Sequence, residues 1–199
     1  MYGCAPEPAA PQVVPKGGRS GQTRREESAM PSGSGLTVED LIARAEISDV
    51  VNRYATGIDR RDWALYRSIF ADEVDFDFTS WSGGAPRRLK ADDWVANVRD
   101  GLSGFDATQH LSSNHVHTIE GDEATCVSYM VALHHLLDGD TRLMHGLGGY
   151  YANRLRRGPG GWTIHACALT VTWEMGDRGL FQIAGRRWAD RRAAGMGAA

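Results

Sequence analysis

Ile119-Glu120-Gly121-Asp122-Glu123-Ala124 reads as two strand ends around a Gly-Asp turn, and the signal recurs at Asp138-Gly139-Asp140 and Gly158-Pro159-Gly160-Gly161. Each is a hairpin signature, because glycine and aspartate accept the positive φ angles that tight turns between strands demand. The runs they separate are His110–Ile119, Ala124–Leu137, Arg142–Leu155 and Trp162–Trp173. Strands joined by such short turns predict an antiparallel meander. Upstream, Val74-Asp75-Phe76-Asp77-Phe78 alternates apolar with charged, the pattern of a half-buried strand.

The chain ahead of these strands has a helical period. Thr37-Val38-Glu39-Asp40 carries a capping signal, and Leu41, Ile47, Val50, Val51, Tyr54, Ala55 and Ile58 then recur at helical spacing. They predict one amphipathic helix of about six turns. Asp59-Arg60-Arg61 turns the chain, and Asp62 caps a short second helix through Leu65, Tyr66, Ile69 and Phe70. Ser82-Gly83-Gly84-Ala85-Pro86 is a loop, Ala91 to Leu102 a third helix, and Leu180 to Ala194 a short basic one. Helices followed by a long antiparallel sheet give an α+β class. To bury one face, the curved sheet must wrap around the N-terminal helices as a cone, forming a single domain over residues 36–195. An open cone with an apolar interior is a natural pocket for a small molecule.

Composition narrows the partners. The 199 residues carry 22 Lys+Arg against 25 Asp+Glu, a net charge of −3, which offers no electrostatic case for nucleic acid or an anionic membrane. No stretch approaches the roughly 18 apolar residues of a membrane span. Cys4, Cys126 and Cys167 are too scattered for a disulfide framework, and no CxxC is present, so a reducing cytoplasmic setting is expected. Met1–Gly35 holds five of the seven prolines, six glycines and no Leu, Ile, Phe or Trp. Such a segment cannot bury enough apolar surface to offset its ordering entropy, and residues 1–35 are expected to form a disordered tail, with Met30 a plausible alternative start.

Four further pieces carry a family resemblance. Tyr54-Ala55-Thr56-Gly57-Ile58-Asp59-Arg60-Arg61-Asp62-Trp63 with Phe70-Ala71-Asp72 resembles the first two helices of the SnoaL-like family, within the cone-shaped nuclear transport factor 2-like (cystatin-like) superfamily. Thr108-Gln109-His110-Leu111-Ser112-Ser113-Asn114, Ile119 to Ala124, and Gly148-Gly149-Tyr150-Tyr151-Ala152-Asn153 leading to Gly161-Trp162-Thr163-Ile164 agree in order and spacing. The similar subgroup includes scytalone dehydratase, bile-acid 7α-dehydratase and hexachlorocyclohexane dehydrochlorinase. Its enzymes place an Asp at the end of the first long helix and a His at the start of the strand after the third. Asp59 and His110 fall on those positions, and Tyr54 matches a Tyr of the bile-acid enzyme. Phe78 stands where scytalone dehydratase has a Tyr, and the second Asp and late Arg of the bile-acid enzyme have no counterpart. The resemblance implies a cofactor-independent enzyme and a homo-oligomer, with a trimer favoured.

The residues themselves support that chemistry. A neutral imidazole suits proton abstraction from carbon, and a carboxylate on its other nitrogen fixes the tautomer and stabilises the imidazolium. Asp59 lies one turn beyond Ala55 and two beyond Val51, on the helix face turned to the sheet. Tyr54 can donate a hydrogen bond to a substrate oxygen. Asn114, four residues after His110, shares its face by strand alternation. Phe78, Trp81, Trp94, Tyr129, Met130, Met144 and Trp173 are candidates for the pocket lining, suited to a flat, largely apolar polyketide, aromatic or steroid-like compound. The resulting expectation is a dehydratase-type lyase. An isomerase or cyclase sharing the first step is the alternative, and a non-catalytic binding or scaffold subunit a further one. No metal is expected. His115-Val116-His117 near Glu120, and His134-His135, resemble cupin fragments, but alternation puts His115 and His117 opposite His110, as solvated or interface histidines. No GxGxxG or P-loop suggests a nucleotide cofactor.

Overall fold

The computed structural model describes residues 35–196. The expected tail therefore lies, except for Gly35, outside the described residues. The elements run α1 (Val38–Asp59), α2 (Trp63–Ser68), β1 (Phe70–Asp77), α3 (Thr79–Ser82), β2 (Arg87–Lys90), α4 (Ala91–Leu102), β3 (Ala107–Glu120), β4 (Glu123–Asp138), β5 (Thr141–Gly158), β6 (Gly161–Gly176) and α5 (Leu180–Ala193). Among the described residues, no helix is long and apolar enough to cross a membrane.

Helix α1 begins where its capping box predicts. Asp40 N–H donates to Thr37 Oγ1 at 3.1 Å, and Thr37 N–H donates to Asp40 Oδ2 at 2.9 Å. Its buried stripe, from Ala43 through Ile47, Val50, Val51 and Tyr54 to Ile58, packs into the main core. Asp62 caps α2 through Leu65 N–H at 2.9 Å. That helix ends at Ser68, and Phe70 already belongs to β1. The chain needs only one turn here to pack Tyr66 before it enters the sheet.

The class is α+β, with helices on a curved, unclosed sheet. The strand order is β2-β1-β6-β5-β4-β3. Strands β3 to β6 form the expected antiparallel meander. The sheet as a whole is mixed, however, because β1 runs parallel to β6. Turn signals specify only neighbours in sequence, whereas β1 and β6 meet across the whole meander, where no turn fixes their direction. The stretch read as loop, Ser82–Pro86, closes a β1–β2 hairpin through the short α3. Strand β2, Arg87–Lys90, has too few apolar residues to declare itself.

Two of the sheet's bulges decide how the expected site residues face. In β3, Asn114 has φ 53°, and the pairing with β4 shifts between Ser113 and Val116. One extra residue reverses the alternation. In β6 the pairing with β5 shifts so that Gly149 faces Val171 while Gly148 faces Trp173. Val171 packs on the core, and Trp173, two residues later, turns out to the opposite face and lies across Gly148.

Gly57 is where α1 touches α2. A Cβ there would lie 2.8–2.9 Å from the Cβ, Cα and N of Tyr66. Helix propensity alone would favour alanine by about 1 kcal/mol, but overpacking costs about 1–3 kcal/mol. Gly57→Ala should therefore lower the urea midpoint at unchanged m value; a raised midpoint would refute the close approach.

Candidate active site

The last turn of α1 delivers Asp59 to the start of β3. His110 N–H donates to Asp59 Oδ2 at 2.7 Å, and the ring contacts Oδ1 through Nδ1 at 2.7 Å. The Thr108 hydroxyl donates to the same Oδ1 at 2.9 Å. Behind it, the Arg61 guanidinium donates to Thr108 Oγ1 at 2.8 Å, to Ile58 O at 2.7 Å and to Leu102 O at 3.1 Å. One guanidinium thus ties the ends of α1 and α4 to β3. Arg61 adopts a left-handed φ of 57° as the chain turns from α1 towards α2.

These contacts set the charge states. Burial pushes the Asp59 carboxyl up, but hydrogen bonds from the His110 ring and backbone N–H and from Thr108 outweigh it, holding the group below its ordinary value. The carboxylate is ionised and can only accept. Nδ1 of His110 therefore carries the proton, leaving Nε2 as the basic nitrogen. The pair is largely shielded, with side-chain exposures of 10% for His110 and 21% for Asp59.

His110 lines a cavity of about 300 Å³. Its walls are mostly apolar, including Ile58, Met130, Ala132, Leu147 and Leu169, with Phe78, Trp81 and Trp94 on one side. The polar groups are few. Tyr54 is buried, and the Tyr151 hydroxyl donates to its oxygen over 3.5 Å. Burial raises the pKa of both phenols, so they remain protonated donors. His134 stands with its ring perpendicular to that of His110, centroids 5.6 Å apart. Burial, then the nearby His110 and His145, push its pKa down to about 3, so it is neutral at pH 7.

Of the expected site residues, Asp59, His110 and Tyr54 come together, and Phe78, Trp81 and Trp94 line the same cavity. Four do not. Asn114 is exposed, because it is itself the bulge residue and no longer shares His110's face. Tyr129, 59% exposed, neighbours the inward Met130 and so must point outward. Met144 precedes the buried His145 and points outward for the same reason, and Trp173 is turned out by the β6 bulge. The same β3 bulge overturns the reading of His115 and His117. Ser48 Oγ of α1 lies 2.9 Å from His117 Nε2, which puts them on the helix-facing side with His110.

The sequence reading missed His134, Tyr151 and Phe181 as lining residues. A signal existed for the first. Ala124, Cys126, Ser128, Met130, Ala132, His134 and Leu136 are buried at every second position of β4. Counting by two from Met130 would have found the histidine. Phe181, on α5, carries no such period.

Against known proteins, the model of the SnoaL-like domain matches residues 39–168. An uncharacterized protein of Mycobacterium tuberculosis is 27% identical over 133 residues, 65% of this chain and 85% of its own. A solved Kribbella flavida protein shares 29% identity with a TM-score of 0.66, covering 73% of this chain and 98% of that one. A hexachlorocyclohexane dehydrochlorinase structure has the same fold at 20% identity and a TM-score of 0.57, over 70% and 91% of the two chains.

His134 sets a pH dependence. Its folded pKa of about 3 lies below the ordinary value of 6.5, so between these the unfolded chain binds a proton that the native one refuses. Stability should fall as pH drops from about 6.5 towards 3, by at most about 1.4 kcal/mol per unit from this group. Thermal melts between pH 7 and pH 4 should show the fall, and His134→Gln should flatten part of it. An unchanged slope in the variant would place the effect elsewhere.

Proposed function

The chain belongs to the SnoaL-like family, and from that premise we propose that it is a dehydratase-type lyase that needs no cofactor. The observation that carries this is the ionised Asp59 holding the Nδ1–H of His110, on a ring that lines a mostly apolar cavity. The substrate is a small, largely apolar molecule bearing a carbonyl or phenol and a hydroxyl, in the polyketide, aromatic or steroid-like range.

His110 Nε2 takes the proton from the carbon next to the activating carbonyl. The imidazolium so formed is stabilised by the Asp59 carboxylate, which is already in place and requires no reorganisation. The Tyr54 hydroxyl, whose oxygen accepts from Tyr151, or the neutral His134 ring donates to the oxygen on which negative charge develops. The electron pair then returns to form the carbon–carbon double bond and breaks the carbon–oxygen bond of the neighbouring hydroxyl. That leaving group takes up the proton held by His110 and departs as water. Against a ligand carrier stands the ring's place on the cavity wall: a pair that served only to fix α1 on β3 would not need to present His110 to the cavity.

The test is turnover on a panel of hydroxy-ketones and polycyclic phenols, with products read by mass. Asp59→Asn should lower turnover at least about 100-fold, equivalent to roughly 2.7 kcal/mol of barrier. His110→Gln should do at least as much, and the double variant little more, because the two act as a unit. Wild-type turnover in both single variants would remove the dyad from the reaction.

The assembly belongs to the same reading. The outer sheet face exposes Leu111 by 49%, Val116 by 64%, Tyr129 by 59% and Trp173 by 44%. Large apolar patches of this kind mark interfaces, and a homo-oligomer, as a trimer, would cover them. Light scattering at micromolar concentration should give a multiple of 21.7 kDa; a monomer mass would contradict it.

A further inference from the structure

Beyond the β3 bulge, the helix-facing side of the sheet carries a second group of side chains that the proposed reaction does not use. His117 lies directly across from Cys126 of β4, and His115 precedes it by two residues on the same face. The ring centroids of the two histidines are 6.1 Å apart at 77°. One ring nitrogen of each and Cys126 Sγ all lie within 4.8 Å of one another. We propose that His115, His117 and Cys126 form a metal site for a borderline-soft dication of the Zn²⁺ class, separate from the Asp59–His110 cavity.

The geometry suits such an ion. Two histidines at alternate strand positions with a third ligand from the neighbouring strand converge on a point above the sheet, because all three side chains leave the same face. With bonds of about 2.0 Å to nitrogen and 2.3 Å to sulfur, tetrahedral ligand atoms sit about 3.3–3.7 Å apart. The cluster must close by about 1 Å to reach that. Ser112 Oγ lies 3.0 Å from His115 Nε2, and Ser48 Oγ 2.9 Å from His117 Nε2, so each imidazole has a hydroxyl that holds its ring in place. Both rings are half-buried on an edge strand, giving the ion access, while Cys126 is fully buried beneath them.

The donor set is selective. It contains no carboxylate, so Ca²⁺ and Mg²⁺ find no oxygen shell, whereas imidazole with thiolate favours Zn²⁺. Burial pushes the Cys126 thiol up to about 11, so without a metal it is an inert thiol and not a nucleophile. Binding replaces the thiol proton: the S–H bond breaks, a sulfur–metal bond forms, and the proton leaves to solvent. The fourth position falls to a water. The positive charge of Arg44, close enough to act on His117, opposes the dication and makes the site weaker than its ligands alone would give.

Co²⁺, a visible stand-in for Zn²⁺, tests the site in the full chain after treatment with a chelator. One equivalent should produce thiolate-to-cobalt charge-transfer absorption that Zn²⁺ then abolishes and Mg²⁺ does not. His117→Gln and Cys126→Ser should each lose the absorption and weaken Zn²⁺ binding by calorimetry at least about ten-fold. Arg44→Gln, which removes only the opposing charge, should tighten it. His117 is half-exposed, so its variant keeps the test open even if Cys126→Ser fails to fold. Absorption that persists in both His115→Gln and His117→Gln would place the metal on another thiol and overturn the proposal. So would the absence of any thiolate absorption with saturating Co²⁺.

Discussion

A carboxylate taken out of water must be surrounded by donors or it will not stay charged, and that requirement organises the centre of this molecule. Asp59 meets it with the ring and backbone N–H of His110 and the hydroxyl of Thr108. Those donors belong to β3, so the end of α1 can sit in only one place along the strand. Arg61 extends the constraint to the end of α4 through Leu102 O. Helix lengths, the left-handed turn at Arg61 and the phase of β3 are all compatible with this knot. The cavity opens beside it because the apolar faces of α4 and the sheet cannot close completely over a hydrogen-bonded polar group.

Much of this could be read from residues alone, for reasons that differ from element to element. Helix α1 declares itself because Thr37 and Asp40 cap it and its stripe repeats without interruption to Ile58. The meander is legible because each turn carries glycine at a position with positive φ, as at Gly121, Gly139 and Gly161. Asp59 and His110 are legible as a pair because a buried acid needs a partner, and the family resemblance supplies the position. What failed was phase. Alternation is a count, and Asn114 and the irregularity before Trp173 each add one to it. Neither bulge has a composition that announces it, and simple alternation along β3 puts Asn114 inward and His115 and His117 outward. The parallel pairing of β1 with β6 was hidden for a different reason, since only long-range packing specifies it.

The division of labour along β3 follows from the bulge. Before it, Thr108 and His110 serve the cavity; after it, His115 and His117 face the underside of α1. The strand thus presents two polar groups to one helix, one at its C-terminal end and one near its middle. Between them run the buried apolar residues Val50, Val51 and Tyr54.

Strand β3 is also the last in the sheet, paired with β4 on one side only. Edge strands open more readily than central ones, in local events that cost far less than unfolding the whole. His110, the proposed base, is therefore carried by an edge strand, while Met130, Ala132, Leu147 and Leu169 of the cavity wall stand on interior strands. Each excursion of the edge separates His110 from its carboxylate but leaves the remaining core intact. Mild heating or low concentrations of denaturant would then separate the two residues while the spectroscopic signature stayed native, and cooling would bring them back together. In such a design the durability of the fold and the durability of the Asp59–His110 contact are different quantities, and only the second is governed by the hold of α1 on the edge.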